Sequence, residues 1–394
     1  MTERSLQGKR VLLLFPHLVI AGGALNYVLK LAELLRRRGA TVGLLTLRVD
    51  AGRYGAALAD LEVLTVEGPL SSSLFYWLLL PYWQWRFHRH IDAWRPHVLV
   101  PQVFPANWWA WLYKRRQPQL PVVWMCQEPS AFIHSRNWIE ALRPPWKRWL
   151  AEMLSPVLAR LDVRLSRYSD KIVGNSRFTA GMIERVYGRA ADAVAYPAID
   201  FKLFFSAEGV VKEDLIVTVA KLSRFKRVDF LLRVFARLLR QQPALSYHIV
   251  GRGEEEDSLR RLAAELRIAE RVVFHGALDN EQLAALQRRA KLFLHGSIEE
   301  PFGMAPLEAI ACNTPVVAHR SGGPLEFVNP SCGRLIDSLE VDCWAEEIAA
   351  FLKQLAAEPG YFAGVSANAR AFSWEATLSP LLQLIAEAAV PAGD

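Results

Sequence analysis

Cysteine is scarce in this chain and poorly spaced for metal: Cys126, Cys312, Cys332 and Cys343 are the only four in 394 residues, and none forms a C-x-x-C pair. That excludes a zinc ribbon or finger and leaves reduced thiols, mostly in apolar contexts, which suits a cytoplasmic protein. Solenoid-length repeats and low-complexity tracts are absent, so repeat architectures drop out. The strongest apolar run, residues 74–80, is far short of the about 20 residues that cross a bilayer. No Asp-x-Asp pair occurs. No DNA- or RNA-binding motif accompanies the basic charge, so nucleic acid is not an expected partner. Lys9-Arg10 followed by VLLLFPHLVIAGGALNYVL mimics a signal peptide, but Pro16, His17 and Gly22-Gly23 interrupt it. A buried strand, a glycine loop and a helix fit that stretch better.

What is present points to two domains. The length exceeds a typical single domain, and 52% hydrophobic residues can fill sizeable cores. Charge is uneven: residues 1–200 hold 26 Lys and Arg against 15 Asp and Glu, and residues 201–394 hold 21 against 25. The basic half also carries most of the tryptophans. Such a surface suits an anionic membrane face or a phosphate-bearing acceptor. The focus is residues 69–90, where Trp77, Trp83, Trp85, Arg86 and Arg89 put aromatic and basic side chains together, as in a helix lying in a membrane interface. A helix packed partly in a core is the alternative. Lys114-Arg115-Arg116 and the RPPWKRW run from Arg143 extend the pattern.

The stretch 291–328, KLFLHGSIEEPFGMAPLEAIACNTPVVAHRSGGPLEFV, organises the rest. Residues 291–295 read as a buried strand, 296–303 as a loop, 304–312 as a helix with Pro306 in its first turn, and 315–318 as a second strand. The loop therefore leaves the carboxyl end of a strand in a βαβ unit, where ligands bind in open α/β sheets. Gly303 permits close backbone approach, and the amides opening the helix suit a phosphate. Glu300 in the loop and Glu308 in the helix are acceptors for hydroxyls on either side. Phosphate between two sets of hydroxyls describes a nucleotide sugar. An acidic loop before an ordinary helix is the plain alternative.

Glu300-Pro-Phe-Gly and Glu308, followed by ACNTPVVAHRSGG, resemble the E-x7-E signature of the retaining GT-B glycosyltransferases of family four. Several further segments are similar to that family. They are the Gly22-Gly23 loop after a first strand at 10–15, the NSRF turn from Asn175, Tyr196-Pro197-Ala198-Ile199-Asp200, the KLSRFKRVD run from Lys221, and the closing Phe372-Ser373-Trp374-Glu375. Residues 50–170 resemble little.

The resemblance implies an α/β fold of GT-B type. Two Rossmann-like domains would face each other across a cleft: an acceptor-binding domain at 1–200 and a nucleotide-sugar domain at 201–375. A C-terminal helix, 376–394, would return to the first domain. It implies a hexosyltransferase that retains configuration and needs no cofactor or metal, with lysines and a helix dipole replacing a cation. Lys221 and Lys226 would hold the diphosphate, Lys221 standing where the family has arginine. Glu300 would hold the sugar, helped by the amides of Phe302, Gly303 and Met304, and Glu308 the ribose. His275 would lie by the base, and Gly22 and Gly23 against the diphosphate.

The family's usual histidine near the sugar is missing. Gln127 stands there, with Glu128 beside it and His134 displaced, and these three are the remaining sugar or acceptor candidates. Closest in pattern are mannosyltransferases of lipid-linked oligosaccharide and O-antigen assembly. That implies GDP-mannose as donor and a lipid-linked glycan as acceptor, with the protein cytoplasmic or peripheral on the inner face of an anionic membrane. A UDP-sugar enzyme with a soluble acceptor is the first alternative. A non-catalytic nucleotide-sugar-binding protein or a membrane scaffold is the second.

Overall fold

The computed structural model describes residues 6–18, 22–50, 58–59, 61–66, 80–135, 139, 145–358 and 360–390. The chain divides into two compact units. One comprises Met1–Pro197 with Glu375–Asp394, the other Ala198–Trp374.

Unit 1 is built on short strands, the central ones apolar and buried on both faces, the pattern of a parallel sheet. β1 (Arg10–Leu14), β2 (Thr41–Thr46), β3 (Glu62–Thr65) and β4 (Val98–Pro101) pair in the order β3-β2-β1-β4, all parallel. β5 (Val123–Cys126), β6 (Lys171–Gly174) and β7 (Ala193–Val194) continue the series, linked through a parallel bridge from Leu99 to Val122. Helix α1 (Gly23–Arg37) buries Leu25, Val28, Leu31, Ala32 and Leu35, a 3.6-residue stripe, and ends on Arg36 and Arg37, cations placed at the negative end of its dipole.

The next helix, α2 (Leu80–Trp94), settles part of the membrane expectation. Residues 67–79, Trp77 among them, lie outside the described residues. Further along, Trp83, Phe87, Ile91 and Trp94 recur at spacings of four, four and three, so they share one face, and all are buried. They pack on α3 (Ala106–Arg116), where Phe87 stacks on Trp109 at 4.0 Å between ring centres. Trp83 is therefore a core residue, not a lipid contact, because its helical face is the one turned to the sheet. Trp85 is exposed, with the Arg89 guanidinium 5.1 Å above its ring, and Arg86 donates to the Tyr82 hydroxyl.

Among the described residues, the helices that follow in unit 1 before Pro197 are α4 (Ala131–His134), α5 (Pro145–Ser166) and α6 (Arg177–Tyr187). Ser176 caps α6, its Oγ accepting from the Thr179 amide at 2.9 Å. All four elements α3 to α6 converge on Asp162 of α5, which is fully buried. Its carboxylate accepts from Trp108 Nε1 at 2.5 Å and from the Tyr187 hydroxyl at 2.8 Å, and His134 Nε2 lies 2.8 Å away.

Unit 2 is a six-stranded parallel sheet. Its strands are β8 (Glu213–Val219), β9 (Ser246–Val250), β10 (Val272–Gly276), β11 (Ala290–His295), β12 (Val316–His319) and β13 (Gly333–Ile336), in the order β10-β9-β8-β11-β12-β13. The first strand is central: the chain winds outward through β9 and β10, then returns to the other side of β8 with β11. The core lies between the sheet and helices α7 (Val228–Leu238) and α11 (Val341–Ala357), where Phe230 meets Trp344 edge to face at 5.3 Å. Between them in sequence are α8 (Glu256–Glu265), α9 (Asn280–Arg289) and α10 (Met304–Ala311). After α11 comes α12 (Tyr361–Val365), and the following helix, α13 (Trp374–Ala388), belongs from Glu375 onward to unit 1. All four cysteines are free thiols, three of them buried.

Candidate active site

The strand order of unit 2 decides which residues meet. Where neighbouring strands β8 and β11 leave the sheet in opposite winding directions, their carboxyl ends open a crevice. The loop after β8 carries Lys221 and Lys226, and the loop after β11 carries Glu300. Residues 74 apart in sequence thereby come into contact: Lys226 Nζ donates to Glu300 Oε1 at 2.7 Å and Oε2 at 2.5 Å.

Glu300 is shaped by competing effects. Burial would raise its carboxyl, but the Lys226 ammonium, with His295 assisting, outweighs burial and brings it down to about 2. His295 closes β11, and its Nε2 lies 3.8 Å from Glu300. Burial, aided by the charge of Lys226, takes this imidazole down to about 4 against the pull of Glu300, so it is neutral at pH 7.

Glu308, one turn into α10, has no such cation, and burial lifts it to about 7. The two glutamates of the motif thus differ in charge near neutrality.

Backbone geometry around them is demanding. Gly303 caps α10 at φ +95°, a left-handed conformation that side chains rarely adopt, and no side chain caps the helix. The Ser-Gly-Gly turn after β12 lies directly over the loop: the Gly323 amide donates to the Glu300 carbonyl at 2.7 Å, and a Cβ on Gly323 would sit 2.3 Å from the Phe302 Cα. Phe302 itself is buried against Phe327 and Phe372. Met304 is half-buried.

The remaining candidates fall in different places. Lys221 is 66% exposed and its Nζ is 3.7 Å from Glu254, so it is the less engaged cation of the two. His275, at the end of β10 on the same sheet edge, lies 2.9 Å from His248, and burial lowers its pKa. In unit 1, Gly22 and Gly23 open α1, whose first turn likewise has no side-chain cap. Gln127 is buried, with Nε2 3.4 Å from Gln102 Oε1, and the Glu128 side chain is exposed. His134 is engaged by Asp162, so it orders the interior of unit 1.

His295 was not among the sequence candidates. Its only signal was a polar residue closing the apolar strand KLFLH. Asp162 carried no local signal at all, since its three partners come from three other helices.

The geometry can now be set against known proteins. Residues 200–359 match the family described as glycosyl transferases group 1, and residues 21–203 match glycosyltransferase family 4. A D-inositol 3-phosphate glycosyltransferase of Saccharomonospora viridis is 31% identical over 309 residues, covering 66% of this chain and 72% of that protein. The chain belongs to the group 1 glycosyltransferases. A second relative, the D-inositol 3-phosphate glycosyltransferase of Segniliparus rotundus, is 33% identical over 315 residues, 74% of this chain. The match spans 66% of that relative's length. Neither relative carries the name of the mannosyltransferases that the sequence pattern resembles.

Among solved structures, Anabaena HepE in complex with UDP and glucose superposes with a TM-score of 0.71 at 21% identity, covering 96% of this chain and 98% of that one. The fold of this group 1 glycosyltransferase is GT-B, each unit carrying its own Rossmann-like parallel sheet.

Proposed function

We propose that this chain transfers a hexosyl group, with retention of configuration and without a metal ion, from a nucleoside diphosphate sugar to a hydroxyl. The observation that carries the proposal is the Lys226–Glu300 pair at the strand-order switch of unit 2, with Glu308 and the uncapped start of α10 beside it.

The chemistry follows from donor counting. An ammonium has three donors. Two of them go to Glu300, which leaves one for a phosphate oxygen. The pair is neutral as a unit, so net positive charge for the leaving diphosphate comes from Lys221 and from the amides opening α10. Glu300, held ionised, accepts from sugar hydroxyls. Glu308 accepts from the ribose and is fully ionised only when those hydroxyls arrive. As the bond from the anomeric carbon to the phosphate oxygen breaks, its electron pair leaves with the nucleoside diphosphate. The acceptor oxygen attacks the same face, and its proton passes to the departing phosphate.

For the donor, the likeness of SRFKRVD, YPAID and HRSGGPLEF to mannosyltransferases supports GDP-mannose. For the acceptor, the name borne by the relatives supports a phosphorylated cyclitol as a second reading beside a lipid-linked glycan. One experiment separates these. Binding and slow hydrolysis are measured across UDP-, GDP-, ADP- and TDP-sugars with and without EDTA, and the active donor is then offered inositol phosphate or a lipid-linked glycan. Turnover of one donor, indifferent to EDTA and lost in Glu308→Ala, is the expected result. Absence of binding by every donor overturns the proposal.

A further inference from the structure

Helix α5, Pro145–Ser166, is apolar on two faces. One face, with Leu158, Ala159, Asp162 and Leu165, packs inward. The opposite face presents Trp146, Trp149, Met153, Leu154, Val157 and Leu161 to solvent, with the two tryptophans 52% and 63% exposed and Val157 62%. At 100° per residue these six fall within one arc of the helix, on the side away from Asp162. A helix with apolar side chains on both its inward and outward faces is ordinarily covered on both, and the outer face of this one is open.

Charge says what the open face fits. Arg160 and Arg164 lie on the same arc toward the C-terminal end, and Lys147 sits 5.6 Å over the Trp146 ring at the other end. Beyond the helix, Arg167 donates to the Tyr168 hydroxyl at 3.2 Å, and Arg115 and Arg164 act on the same phenol. The two acidic residues of α5 are both engaged: Glu152 with Arg148 at 2.7 Å and Asp162 in the interior. Exposed tryptophan with a cationic flank is the composition of a helix lying in the headgroup layer. At 22 residues α5 is about 33 Å long, yet no helix among the described residues is apolar enough to cross a membrane.

We infer that the outer face of α5 docks this protein on an anionic lipid bilayer, with its tryptophans and aliphatic side chains at the acyl boundary and its arginines on lipid phosphates. This surface takes in the RPPWKRW run from Arg143 and leaves out the buried Trp83, and it stands independently of the transfer reaction proposed above, because binding is read with no sugar nucleotide present.

The test is co-sedimentation of the full chain with phosphatidylcholine vesicles, with and without phosphatidylglycerol. Strong binding is expected only with the anionic lipid. It should fall about fivefold for each of Arg160→Gln and Arg164→Gln, and at least tenfold in Trp146→Ser/Trp149→Ser. All these residues are exposed, so thermal unfolding of the variants should match the parent, which separates lost docking from lost folding. No binding to either vesicle overturns the inference, as does binding that the variants leave intact. Self-association abolished by Trp146→Ser/Trp149→Ser, without vesicle binding, would assign the face to a second copy of the chain and overturn it equally.

Discussion

Lys226 and Glu300 come from loops on adjacent strands and lock each other in place: one ammonium bridges both oxygens of one carboxylate, at 2.7 and 2.5 Å. Neither side chain is more than 27% exposed, so solvent does little to soften the loss of either partner.

Lys226→Met should therefore cost about 2–3 kcal/mol of stability at pH 7, through a carboxylate left without its cation. The pH dependence carries a signature. Because the folded carboxyl lies at about 2 against an ordinary 4.5, its contribution is complete above pH 4.5 and is lost as pH falls toward 2. Urea denaturation from pH 3 to 7 should show that acid-side loss in the parent and little of it in Lys226→Met. Adding Glu300→Gln to the variant should recover part of the stability, since no lone charge remains.

Glu308 works in the opposite sense. Its folded carboxyl is raised to about 7 from 4.5, so the native state holds an extra proton between those values. The stability this confers is present below pH 4.5 and is lost as pH rises through 7. Glu308→Gln should flatten that decline and melt higher than the parent at pH 8. If ribose hydroxyls donate to the ionised form, donor affinity in the parent should strengthen as pH rises through 7, with proton release. Calorimetry in two buffers of different ionisation enthalpy measures this.

Gly323→Ala should disable the site without touching any charged group. Its Cβ would occupy space 2.3 Å from the Phe302 Cα and carbonyl oxygen, both backbone, so the loop must move. The expected result is at least tenfold weaker donor binding together with a lowered melting temperature, whereas Gly364→Ala, in a helix with nothing near its Cβ, should leave donor binding unchanged and the melting temperature no lower.

Trp83 and Trp85 are two residues apart and should behave as different kinds of residue. Trp83→Ala opens a large hole beside Phe87 and should cost about 3–5 kcal/mol. Trp85→Ala should stay within about 0.5 kcal/mol, the usual range for an exposed position. Chemical denaturation of the two variants checks both.

Features governed by nearby residues were legible in the sequence. Buried apolar runs gave the unit 2 strands at 291–295 and 315–318 to within a residue, and the loop from Gly296 to Gly303 could be placed from its flanks alone. What depended on distant partners could not be read. Lys226 was assigned to a phosphate, and its pairing with Glu300 follows only from β8 lying beside β11. Trp83 looks interfacial until Trp109 is known to stack on Phe87, one turn along the same buried face. His134 resembles a substitute for a missing histidine until Asp162 is found against it. In each case composition identified the kind of side chain, and tertiary neighbours chose its task.

Unit 1 is assembled from both ends of the chain, its final helix carrying Leu378, Leu381, Leu382 and Ile385 as buried residues and setting Glu375 3.6 Å from Arg37 of α1. On the ribosome that interrupted layout imposes an order. The whole of Ala198–Trp374 must be made before the last helix exists, which at 5–20 residues per second is a delay of about ten to thirty seconds. Throughout it, the nascent first unit waits with an apolar surface uncovered while the second, continuous in sequence, is free to fold.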